Sequence, residues 1–116
     1  RTSAWNASEM GLVARDFIEL TGSEDTIWVM GVPHWADTRL VAIQAGFPLR
    51  DFALFAEQIP QTMDDPRAKL FIIRPDDEVS INALNQAYPN GWFQRYRSFS
   101  ETKDFLIFIV PAKKTP

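Results

Sequence analysis

Apolar residues return along this chain with two different periods. Met10, Val13, Ala14, Phe17 and Leu20 recur at the three- and four-residue spacing that lines one side of a helix, and predict a helix over residues 7–21. Asn6 with Glu9 gives that helix a capping-box start, and Gly22 suits a left-handed cap at its end. Ile81, Leu84, Ala87 and Tyr88 form a second helical stripe, closed by Pro89-Asn90-Gly91. It opens at Asp76-Asp77-Glu78, whose carboxylates suit the positive end of a helix dipole. Between these two, Asp37 is placed to cap a short helix carrying Leu40, Ile43 and Gln44, and Glu57 to Asp65 reads as a helical turn interrupted by Pro60.

The second period belongs to strands. Thr26–Val32, Lys69–Arg74 and Phe105–Val110 are apolar at successive positions, as expected of strands covered on both faces. Asp51–Phe55 and Trp92–Phe99 are shorter or mixed and read as edges. Placing the covered strands in the middle predicts the order 51–55, 26–32, 69–74, 105–110, 92–99. A short turn, Ser100–Asp104, makes the last strand antiparallel to 92–99. With crossovers at 38–45 and 76–88, the expectation is a three-layer, Rossmann-like α/β fold of about five mostly parallel strands with a C-terminal antiparallel strand.

Composition changes this picture in a few respects. The 116 residues fit one domain, and 46% hydrophobic residues are enough for a core. The formal net charge of −3 argues against nucleic acid as a partner. Charge is unevenly spread: residues 1–91 carry seven Lys/Arg against thirteen Asp/Glu, whereas residues 92–116 carry five against two. The basic end is either a solvated face or one that approaches anionic lipid headgroups. The lack of cysteine excludes disulfides, thiolate metal sites and thiol nucleophiles. No apolar run approaches the ~18 residues of a membrane span. The chain starts at Arg1 instead of Met and reads as a piece of a larger protein.

Candidate chemistry gathers where the first covered strand ends, in Gly31-Val32-Pro33-His34-Trp35-Ala36-Asp37-Thr38-Arg39. Ligands of open α/β sheets sit outside the carboxyl ends of strands. His34 is the only side chain whose ordinary pKa is near neutrality, so imidazole acid/base chemistry would fall on it, with Asp37 as orienter. Alternatively it packs in a Pro-His-Trp turn. Trp35 offers an apolar ring to a sugar or wedges the loop against the sheet. Asp37 and Arg39 hold a hydroxylated or phosphorylated ligand, or Asp37 serves only as a helix cap. Arg74 and Asp76, at the end of the neighbouring strand, reach the same rim, or serve only as a strand-terminating charge and a helix cap. Gly31 stands without the further glycines of a dinucleotide loop, and there is no phosphate-binding lysine loop. A single histidine makes a zinc site poor, so no cofactor is expected.

The pattern running from Asn6 through His34-Trp35-Ala36-Asp37-Thr38-Arg39, Lys69-Leu70-Phe71 and Tyr88-Pro89-Asn90-Gly91 to Lys103-Asp104-Phe105-Leu106-Ile107-Phe108 covers nearly the whole chain. It resembles the C-terminal soluble domain of bacterial C-type membrane glycosyltransferases, which are similar to dolichyl-phosphate-mannose protein mannosyltransferases. In that family the catalytic acid lies in an early loop of the membrane portion, so the resemblance carries no catalytic residue to this chain. It implies an extracytoplasmic appendage whose partners are the membrane-embedded portion of the same polypeptide and a glycan or polyprenyl-phosphate sugar. A free-standing α/β enzyme using His34, or a purely structural interaction module, are the other readings of the residues.

Overall fold

A computed structural model describes residues 7–22, 26–30, 53–96 and 104–112, with side chains from Met10 onward. Helix α1 spans Ala7–Thr21, as its spacing predicts. Met10 and Ala14 are fully buried, with Val13, Phe17 and Ile18 packed beside them. Leu20, expected in the stripe, is 87% exposed. At 100° per residue the burying face turns through Phe17 and Ile18, which leaves Leu20 on the solvent side. Gly22 ends the helix at φ 74°, and its N–H reaches the Ile18 carbonyl at 2.6 Å. The Asn6–Glu9 capping pattern and the helix expected after Asp37 lie outside the described residues.

Five strands form one sheet: β1 (Ile27–Met30), β2 (Ala53–Leu54), β3 (Lys69–Ile73), β4 (Trp92–Tyr96) and β5 (Phe105–Val110), in the order β2-β1-β3-β5-β4. The order agrees with the one argued from covered and mixed strands, but the expected fold class does not survive. The sheet is mixed and mostly antiparallel, not a mostly parallel Rossmann-like sheet. Only β1–β2 and β1–β3 are parallel, with two and three aligned pairs, whereas β3–β5 and β4–β5 are antiparallel with five each. The reason is positional. One reversed strand at an edge creates one antiparallel ladder, but β5 lies inside the sheet and reverses the ladders on both its sides.

The two faces of the sheet are covered by different elements. Ile27, Val29, Leu70, Ile72, Phe105 and Ile107 meet α1. Alternate residues of the same strands, Met30, Phe71, Ile73, Phe108 and Val110, face the other way. There they meet a 3-10 helix, Ala56–Thr62, and helix α2, Glu78–Ala87. Pro60 lies inside the 3-10 segment. Having no N–H to give to an i−4 carbonyl, it favours the tighter winding over a regular α-turn. α2 begins where Asp77 accepts from the Ser80 N–H at 3.1 Å and from the Ser80 hydroxyl at 2.6 Å. Leu84 and Tyr88 are its buried stripe, as the spacing predicts. Phe71 stacks on Trp28 at 5.0 Å, and Phe108 lies 4.5 Å from Phe93 and 6.2 Å from Phe71. An aromatic layer therefore runs across the sheet beneath α2, stacked at Trp28–Phe71 and tilted around Phe108, both arrangements that ring quadrupoles favour.

Candidate functional site

The parallel pairing of β1 and β3, with Val29 opposite Ile72, ends both strands at the same edge of the sheet. Arg74 follows β3 at that edge. Its Nε donates to the Asp76 carboxylate at 2.7 Å, with the guanidinium about one-third exposed and the carboxylate 69% exposed. Local sequence dictates this pair: Pro75 turns the chain, and the Asp77 N–H closes the turn on the Arg74 carbonyl at 3.0 Å. Arg74, Asp76, Asp77, Glu78 and Val79 line an open depression of about 430 Å³. His34, Trp35, Asp37 and Arg39, the other members of the expected rim, lie outside the described residues. The structure therefore locates Arg74 and joins it to Asp76, Asp77 and Glu78.

Three carboxylates to one guanidinium make this rim net negative, and Asp77 already takes the Ser80 N–H at the start of α2. Such a rim suits hydroxyl groups, which donate to carboxylates and accept from the guanidinium, better than it suits a phosphate. Among the described residues no group of three His, Cys, Asp or Glu side chains is placed to hold a metal ion. Among them also, no helix is long and apolar enough to cross a membrane. In the basic C-terminal stretch, Arg95 of β4 pairs with Asp104 at 3.5 Å, which neutralises part of that charge.

A second polar cluster was not anticipated. Lys69, the first residue of β3, is only 1% exposed. Its ammonium donates to the backbone carbonyls of Asp65 and Arg67, the latter at 2.9 Å, and lies 5.4 Å from the centre of the Tyr88 ring. Carbonyl dipoles and an aromatic face both favour a cation, which makes burial of the charge tolerable. Thr62 gives its single hydroxyl proton to the Ile59 carbonyl at 2.7 Å, so in the 2.5 Å contact between Thr62 and Tyr88 the phenol donates. Burial pushes the Tyr88 phenol above its ordinary pKa of 10. Beside them the Arg67 guanidinium and backbone N–H hold the Asp65 carboxyl well below the usual carboxylate range. A charge at the head of an otherwise apolar strand, preceded by Asp64-Asp65-Pro66-Arg67, is the sequence signal that could have exposed this cluster.

Comparison with known proteins adds no assignment: no family model, no curated protein and no solved structure matches this chain.

Proposed function

We propose that this chain is an accessory domain that binds the acceptor or glycan of a membrane glycosyltransferase using a polyprenyl-phosphate-linked sugar, and is not itself the catalyst. The domain then belongs on the extracytoplasmic face, attached to the membrane-embedded portion of the same polypeptide. The glycosyltransferase part of this reading rests on the sequence resemblance. The ligand part is carried by one observation, the carboxylate-rich depression of about 430 Å³ around the Arg74–Asp76 pair. Its position beyond the ends of two parallel strands is where α/β sheets commonly take ligands. Its charge selects neutral, polyhydroxylated sugar over the phosphate of a donor.

The test is an amide NMR titration of the domain with neutral mono- and disaccharides, run beside a sugar phosphate. Neutral sugars are expected to shift the amides of Arg74 and of Asp76 to Val79, with both Arg74→Ala and Asp76→Asn abolishing the response. Absence of any response at tens of millimolar sugar, or a response confined to other residues, overturns the ligand reading. A preference for the sugar phosphate overturns its electrostatic part.

A further inference from the structure

Phe55–Ala68 crosses the sheet face beside α2, yet buries only two side chains, Ile59 and Thr62. Its backbone bonds include Gln58 N–H to Phe55 at 2.8 Å, Met63 N–H to Pro60 at 3.2 Å and Asp65 N–H to Thr62 at 3.3 Å. These are i→i−3 bonds that tie the segment to itself and not to the sheet, and the last two are long. Attachments to the body come from elsewhere. Ile59 enters the aromatic layer, the Tyr88 hydroxyl donates to Thr62, the Lys69 ammonium holds the carbonyls of Asp65 and Arg67, and at the strap's end the buried Thr26 hydroxyl donates to the Ala68 carbonyl at 2.7 Å. An element with little buried apolar area and a few point attachments belongs to the low-stability end of a fold. The nature of one attachment matters as well. Lys69 holds its two carbonyls by charge-assisted hydrogen bonds that an apolar side chain in its place could not make, so its removal loosens the segment.

We propose that residues 55–68 form a strap that opens as one unit while the sheet stays folded, pinned shut by the Lys69 ammonium and the Tyr88 hydroxyl. Opening uncovers Ile59, Tyr88 and the adjoining face of Phe71, and widens the groove of about 250 Å³ between the 3-10 helix and α2. The Lys69 pin lies at the opposite end of β3 from Arg74, while the strap itself starts at the edge where β1, β2 and β3 all end.

Native-state amide exchange followed by NMR at low urea concentrations tests it. The amides of Gln58, Met63 and Asp65 are expected to share one opening equilibrium, at least tenfold more populated than that of Phe71 and Ile107, and with a smaller urea slope. Tyr88→Phe, which removes one hydroxyl from an intact ring, and Lys69→Met are each expected to speed exchange of the strap amides by about tenfold, the scale of one lost hydrogen bond. A urea slope equal to that of Phe71 and Ile107 would show that the strap opens only with the whole fold, and overturns the proposal. So do unequal opening equilibria among the three amides, which would mean separate fraying. Unchanged exchange in both variants would remove the two pins.

Discussion

Gly91 sits between the end of α2 and the start of β4, with its N–H on the Tyr88 carbonyl at 3.0 Å. A methyl group placed there would meet the Phe108 ring at 2.4 Å and 2.7 Å and the Ile109 carbonyl oxygen at 3.1 Å. The ring cannot swing aside cheaply: Phe108 is fully buried, with Phe93 4.5 Å away and Phe71 and Tyr88 at 6.2 Å and 6.4 Å. Overpacking a close-packed core costs about 1–3 kcal/mol. Gly91 does not have a positive φ, so alanine meets no backbone penalty and recovers roughly 0.4–1 kcal/mol by restricting the unfolded chain. The expected net loss for Gly91→Ala is therefore about 1–2 kcal/mol, read as a lower urea midpoint at unchanged m-value. Phe108→Leu alone removes ring contacts and also destabilises. Because leucine withdraws the atoms that collide with the methyl, the double variant should lose less than the two single losses combined, by about 1 kcal/mol. Gly91→Ala as stable as the parent, or strict additivity in the double variant, would refute the argument that ring contact makes glycine obligatory here.

Two further outcomes follow from local geometry. Asp77→Ala removes the acceptor for the Ser80 N–H and hydroxyl, and should cost about 1 kcal/mol in chemical denaturation, with Asp77→Asn intermediate. The Asp65 carboxyl, held down by Arg67, should titrate below its ordinary 3.8 when followed by carbon NMR, and return towards that value in Arg67→Gln. Since its folded pKa is depressed, its contribution to stability is complete above the unfolded pKa and disappears as pH falls through the folded one. The acid limb of a stability–pH profile should therefore be shallower in Arg67→Gln; an identical slope would contradict the linkage.

Periodicity made α1 and α2 legible because each buries one face, and unbroken apolar runs mark β1, β3 and β5, while β2 and β4 show as edges by their short or mixed patterns. These patterns also placed the strands in order, since β3 and β5 are apolar at successive positions while β4 mixes Gln94 and Arg95 with aromatics. Strand direction was less accessible. The antiparallel β5 was foreseen, but its weight in the sheet depends on having two neighbours, which is a property of the assembled sheet. Leu20 shows the limit of spacing at a helix end, where the last turn can leave the core. Lys69 carries no sequence mark of its role because its partners are backbone carbonyls, which have no signature in side-chain identity. Of the candidate rim only Arg74 and Asp76 fall among the described residues, and there they form an ion pair across Pro75.

The interior position of β5 has a consequence for how the protein is made. In chain order β5 comes after the other four described strands, yet it is the piece that joins β1–β2–β3 to β4, with Lys69 opposite Val110 and Trp92 opposite Ile109. While the chain is being synthesised, β3 has a partner on one side only, and β4 has none in the sheet until Val110 has emerged. A nascent chain halted after Tyr96 thus carries an apolar seam along β3, with Leu70, Phe71, Ile72 and Ile73 at an open margin. Premature termination in this region should yield material that associates with itself or engages chaperones, and the pairing of β5 is the step that completes the described sheet.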